Sequence, residues 1–368
     1  MTKTPNSQGT NSQGTSSQGA RSRAWELRSW VLGVIVGVVL LSVVHVAGQA
    51  THTHILRLTP QNVQQWGYYD ASVKPVLRIA SGDTLRVETM VAGGLGRLRA
   101  AGVPDAEIPD SLKAVEAAIT ERGPGVHPLT GPVWIENAEP GDVLEVRIQN
   151  FEYLHPYGVT GFIPGSGTLP DEFPYSRFKL IRFDIDRGVA NFAPGIALPL
   201  RPFFGSIGVA PHPLVRRVSS GPPGHHTGNL DNKELVAGST LYIPVHVSGA
   251  LLSFGDAHAM QGDGEVSLTG LETSVRGTVQ IVLRKGMRLN WPRAETPTHY
   301  IAMGVNPDLD EASQIATREM IDFLVAEKGL SRDDAYILSS IGMDLRLTQL
   351  VDGSKGIHAM VPKSIFSK

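Results

Sequence analysis

The chain has 368 residues, 41% of them apolar, with 33 basic against 35 acidic side chains and a formal net charge of -2. That is room for about two domains at ~150 residues each, and so balanced a charge supplies no basic field to gather nucleic acid or an anionic membrane. With Cys 0, disulfides, thiolate zinc sites, iron–sulfur clusters and cysteine nucleophiles are excluded, so a metal must rest on His, Asp, Glu or backbone oxygens.

Residues 7–20 read SQGTNSQGTSSQGA, too poor in apolar surface to offset the entropy of ordering, so 1–29 are expected to be a disordered polar repeat and basic region. Arg21, Arg23 and Arg28 then precede an apolar run over 30–44 and the small-residue stretch Ala47-Gly48-Gln49-Ala50. A basic region, an apolar core and a cleavage-like site are the parts of an export signal. Residues 30–47 are also long enough for a short span at ~1.5 Å per residue. The expectation is a signal peptide or membrane anchor over 30–50, with the rest of the chain exported, periplasmic or extracytoplasmic, and touching membrane only through that segment.

From residue 51 onward the signals are those of β structure. Gly 40 and Pro 25 punctuate the chain, and three Gly-Asp or Gly-Ser turns at 82–83, 141–142 and 238–239 each feed a run of period-2 alternation. Leu85 with Val87, and Leu144 with Val146 and Ile148, share a face, with Arg86, Glu145 and Arg147 opposite, as in half-buried antiparallel strands. Residues 93–125 read as a Gly-rich surface excursion with a helix over 112–119 capped near Asp110 or Ser111. Prolines and glycines recur from 156 to 224 as long loops, with RPFFGSIGVAP at 201–211 the most compact apolar piece. Helices follow at 310–328, ended by Gly329, and at 331–340 behind the cap Ser331. The expected fold is mainly β with an α+β C-terminal part, built from antiparallel β-sandwich or barrel subdomains at 51–200 and 201–290 and an α+β region at 291–368.

Ligand chemistry concentrates between His225 and Glu272. Asp256, His258, Asp263 and Glu265 fall between strand-like 249–254 and 266–271, which places them on one connection. Gly255, Gly262 and Gly264 permit the backbone turns that would aim them inward. His and carboxylates without thiolate suit catalytic Zn²⁺, and further oxygen ligands suit Ca²⁺ or Mg²⁺. The plainer reading is hairpin turns that use Asp and Gly for conformational reasons, with a satisfied buried imidazole. His225 and His226 look exposed, and neighbours on extended backbone point to opposite sides. No G-x-S-x-G occurs, and Gly165-Ser166-Gly167 reads as an ordinary loop.

The segment GNLDNKELVAGSTLYIPVHVSGALLSFGDAHAMQGDGEVSLTGLE resembles the acetamidase/formamidase family, with its GN-x-D, GD-x-HA and QGDGE motifs. LTGPVWIENAEPGDVLEV at 129–146, RPFFGSIGVAP at 201–211 and DAYILSSIGMDLRLTQLVD at 334–352 are similar to further segments of that family. The resemblance implies a mainly β fold and metal-dependent hydrolysis of small linear carboxamides to carboxylate and ammonia. Carried over by motif, it implies Asp231, Asp256, His258 and Asp263 as metal ligands, Glu265 as the catalytic acid–base, and Asn229 and Gln261 as hydrogen-bonders to the amide. Zn²⁺, with Ca²⁺ or Mg²⁺ as further candidates, is the implied cofactor, a small amide the partner, and a homo-oligomer the expected state. The chain departs from the pattern at Met90, where the resemblance leads one to expect a carboxylate. The competing function is a noncatalytic small-ligand-binding protein on the same fold.

Overall fold

In the computed structural model, residues 51–367 are described. The disordered repeat and export segment expected over 1–50 lie outside them.

The alternating runs form strands as their period dictates. Thr84–Glu88, Val143–Tyr153 and Thr240–Pro244 follow the three turns and lie in a nine-stranded sheet with Thr53–Leu56, Val275–Arg284, Arg293–Glu295, His299–Asn306, Lys355–Pro362 and Asp344–Leu347. A ten-stranded sheet holds Leu252–His258 at its centre, flanked by Pro128–Ile135, Phe203–Gly208 and the short Glu272–Thr273. Pairing is antiparallel except for Thr53–Leu56 on Thr84–Glu88 and Leu77–Ile79 on Pro128–Ile135. The two sheets pack face to face: Leu85, Val87, Leu144, Val146 and Ile148 of one meet Val133, Phe204, Leu252 and Phe254 of the other in one apolar cluster. This is a sandwich, with no closed barrel among the described residues.

The nine-stranded sheet draws strands from 51–200, 201–290 and 291–368 alike, and the described part forms one compact unit. The expected boundaries at 200 and 290 therefore do not separate bodies. Strand order in a sheet is a long-range property, which turn spacing along the chain does not encode.

Four α-helices accompany the sheets among the described residues. α1 (Gly94–Ala100) and α2 (Asp110–Ala118) occupy the excursion. The residue before α2 is Pro109, with no side-chain cap, so neither Asp110 nor Ser111 caps it. α3 (Leu309–Lys328) starts where Asp308 accepts from the Glu311 amide and stops at left-handed Gly329; α4 (Arg332–Gly342) starts behind Ser331, which accepts from the Asp334 amide. No helix among the described residues is long and apolar enough to cross a membrane.

Candidate active site

The stretch richest in ligand chemistry folds differently from its sequence reading. Its strand is Leu252–His258, so Asp256 and His258 lie on a central strand, and 266–271 turns without forming a strand. Backbone pairing from Phe203–Gly208, Pro128–Ile135 and Glu272–Thr273 on both flanks carries the strand past Gly255. Residues two apart on a strand point to one side, and Asp256 and His258 accordingly enter one buried cluster.

His258 is its centre. Its Nε2 lies 3.4 Å from Asp256 Oδ2, 3.5 Å from Glu272 Oε2 and 3.9 Å from Asp231 Oδ1. The opposite nitrogen, Nδ1, is 2.8 Å from Gln261 Oε1. Gln261 Nε2 donates to the carbonyls of Asp231 and Thr348, at 2.8 and 3.2 Å. The Gln261 oxygen must then accept, so the proton sits on His258 Nδ1 and Nε2 faces the carboxylates. Asn229 acts similarly on Asp231: it accepts from Ser206 Oγ at 2.6 Å and donates to Asp231 Oδ2 at 2.8 Å, leaving Oδ1 toward His258. Asn229 and Gln261 thus bond to the cluster's own side chains and backbone.

Asp231, Asp256 and Glu265 are held at φ 45, 50 and 48. Left-handed backbone in non-glycine residues costs of order 1 kcal/mol or more and concentrates at functional sites. Gly205 completes the arrangement, because a Cβ there would strike Asp231 Oδ1 and lie 2.7 Å from Asp256 Oδ2.

Five carboxylates, Asp231, Asp256, Glu265, Glu272 and Asp352, surround a cavity of about 200 Å³ also lined by Arg97, His127 and Asn229. Arg97 Nη1 pairs with Glu272 Oε1 at 3.0 Å, and His127 Nε2 lies 3.6 Å from Asp256 Oδ2. Negative charge exceeds positive, and the ionisation equilibria record it. Burial, with repulsion from neighbouring carboxylates, holds Asp231, Glu265 and Glu272 above the ordinary carboxyl range and pushes Asp352 up to about 7. Burial opposes ionisation of Asp256 as well, but His127 and His258 outweigh it and keep that group well below its usual value. Burial likewise opposes the His258 imidazolium, yet Glu272 and Asp256 raise it well above an ordinary histidine.

The donor set fits a cation. Asp231 Oδ1, Asp256 Oδ1, His258 Nε2, Glu265 Oε2 and Glu272 Oε2 are buried and have no hydrogen-bond partner. An unpaired buried charge is too costly to keep unless it meets an ion or takes a proton. Two triads bring one ligand atom from each member within 4.8 Å of one another: Asp231, His258 and Glu265, and Asp256, His258 and Glu272.

Asp263 stands apart. It is exposed and pairs with Lys233 at 2.9 Å and Arg346 at 2.6 Å, so its charge is matched outside the cluster. His226 is buried edge-on against Tyr69, and His225 stacks on Trp291, so the expectation that both are exposed fails for His226. Phe203 is buried against the His258 ring, whereas Phe162 and Phe173 pair in a separate apolar cleft beside Val266. Met90 is fully buried among Leu58, Trp66 and Leu95, a packing role.

Sequence reasoning missed Glu272, His127, Asp352 and Arg97. Glu272 closes the TGLE end of the longest motif, His127 stands two residues before LTGPVW, and Asp352 ends the segment QLVD. Each signal was present, but sheet pairing is what brings it in: Glu272 is registered opposite His258, and Thr130 of the strand after His127 is registered opposite Phe254 of Leu252–His258.

A two-sheet sandwich whose central strand carries a His-centred carboxylate cluster defines a β-sandwich protein with a buried pocket whose acidic and histidine groups could bind a metal ion. The family model for acetamidase/formamidase matches residues 56–220 and 216–368, and the chain belongs to that family. The acetamidase of Yersinia enterocolitica superimposes with a TM-score of 0.75 at 30% identity, over 88% of this chain and 95% of that one. A formamidase of Methylophilus methylotrophus is 28% identical over 196 residues, 39% of this chain and 48% of that protein. An acetamidase of Mycolicibacterium smegmatis is 26% identical over 202 residues, 39% of this chain and 50% of that protein. The chain spans about half the length of the curated relatives it matches.

Proposed function

We propose that this chain is a metal-dependent hydrolase of small linear carboxamides, releasing carboxylate and ammonia. The observation that carries the reading is the set of unpartnered buried ligand atoms around one small cavity. Asp231, Asp256, His258 and Glu272 would hold the ion, with Gln261 fixing the His258 tautomer and Asn229 fixing Asp231. Zn²⁺ in such a site supplies Lewis acidity and an acidified water. Glu265 takes a proton from the attacking water and delivers it to the amide nitrogen as the C–N bond breaks. A cavity of about 200 Å³ is smaller than the ~300–1,000 Å³ of drug-sized ligand sites, which supports formamide- or acetamide-sized substrates.

Metal analysis together with an ammonia-release screen over formamide, acetamide and larger amides tests the reading. Bound metal with no release from any amide would favour a noncatalytic small-ligand-binding protein. Export, retention at a membrane through 30–47, and assembly as a homo-oligomer are further parts of the proposal. The basic and apolar N-terminal pattern supports export and retention, and family membership supports the oligomer; fractionation and solution mass check them.

A further inference from the structure

An amide group presents one acceptor, its carbonyl oxygen, and one or two N–H donors. The cavity wall is rich in acceptors, with five carboxylates, and poor in donors. His127 has its Nδ1 2.9 Å from Ser220 Oγ and its Nε2 turned to Asp256, and Asn229 already donates to Asp231. Arg97 is different. A guanidinium carries five N–H donors in a fixed fork, and its ion pair in the cluster is the Nη1 contact with Glu272.

The local fold holds that guanidinium in place. α1 is entered through Gly93 at φ 71 and opens on Gly94 at φ 63. A Cβ on Gly93 would lie 2.9 Å from Arg97 Nε, so the side chain lies back over a residue that only glycine suits. Glu116 accepts from the Leu95 amide at 2.7 Å and anchors the first turn. Glu272 then bridges two functions, with Oε1 on Arg97 and Oε2 facing His258. The guanidinium therefore stands one carboxylate's width from the ligand cluster, with its side chain 12% exposed.

We propose that Arg97 binds the acyl oxygen of the substrate and stabilises the charge that develops there. This rests on the amide-hydrolase reading above. As water oxygen adds to the carbonyl carbon, the π pair moves to the acyl oxygen, where Arg97 donates. When the pair returns, the C–N bond breaks and ammonia leaves with the proton delivered by Glu265. Donors preorganised on a developing oxyanion each contribute ~10²–10³-fold in rate.

The test compares metal-loaded wild type with Arg97→Gln and Arg97→Lys in amide turnover, metal content, thermal melting and calorimetric binding of acetate, which carries the same acyl oxygen. Arg97→Gln should lose ~10²-fold or more in kcat and at least ~tenfold in acetate affinity, with metal and melting temperature kept. Arg97→Lys should recover part of each, and added guanidinium should partly restore turnover to Arg97→Ala. Normal kcat and acetate binding in Arg97→Gln, with an active wild type, would overturn this role and leave the amidase reading intact. Loss of acetate binding in Arg97→Gln, with a wild type that hydrolyses no amide, would overturn the amidase reading and keep Arg97 as the oxygen-binding residue. A wild type that neither hydrolyses amides nor binds acetate would overturn both. If Arg97→Gln fails to fold or loses metal while Arg97→Lys matches wild type, Arg97 is only the counter-ion of Glu272 and the proposal falls.

Discussion

Asp256 and Asp263 sit in neighbouring short motifs, each after a glycine, yet they belong to opposite electrostatic regions. Around Asp263 each carboxylate has its cation: Lys233 and Arg346 pair with Asp263, and Arg346 and Arg201 with Glu234. Around Asp256, five carboxylates share Arg97 and two imidazoles, and several buried oxygens have no partner. The first region is complete as a protein. The second is complete only with a cation or with added protons, and that imbalance marks a ligand site more securely than acidic residues by themselves do.

The largest effect is expected on removing the base from the unbalanced region. Glu265→Gln keeps the shape of the side chain, so metal should remain bound while amide turnover falls by ~10²-fold or more. Loss of metal instead would move Glu265 among the ligands. His258→Ala should lower metal affinity at least ~tenfold, measured by metal content after dialysis, and Gln261→Ala should do so more mildly because it frees the tautomer. Full metal occupancy in His258→Ala would mean that the cluster holds no ion through that imidazole.

The balanced region should answer to pH. Burial holds His358 neutral, with a pKa down to about 4 against its ordinary ~6.5. A depressed histidine binds its proton more readily when unfolded. Its contribution is complete above pH ~6.5 and is lost as the pH falls through that window toward 4, at up to ~1.4 kcal/mol per pH unit. Thermal melts of wild type and His358→Gln should differ in slope across this range, and parallel curves would sink the assignment. The smallest effect belongs to Asp263→Asn. Half-exposed ion pairs contribute ~0–1 kcal/mol, so stability should shift within that range and metal content should stay unchanged. Metal loss in this variant would erase the distinction between the two regions.

Much of the secondary structure was legible because its causes are local. Alternation at Leu85/Val87 and Leu144/Val146 and the caps near Ser331 and Gly329 act over a few residues, and those strands and helices stand where they were expected, whereas 156–224, read as long loops, holds Tyr157–Phe162, Arg177–Asp184, Val189–Ala193, Ile196–Pro199 and Phe203–Gly208 of the ten-stranded sheet. The expected strand over 266–271 failed for the converse reason: periodicity is outvoted where Glu272–Thr273 is the segment that finds partners.

By itself the sequence determined that the chain is mainly β, that it can hold metal only through His, carboxylate and backbone oxygen, and that residues 225–272 carry the densest ligand chemistry. Only the tertiary structure decided which of those ligands meet. Asp256 and Asp263 look alike in the sequence, since each follows a glycine in one of two neighbouring motifs. What separates them is the strand pairing that buries one beside His258 and the course of Asp344–Leu347 that brings Arg346 to the other. Arg97, His127, Glu272 and Asp352 come from distant parts of the chain to one 200 Å³ cavity. Their charges interact through space over a few ångströms, a distance that no local pattern in the chain records.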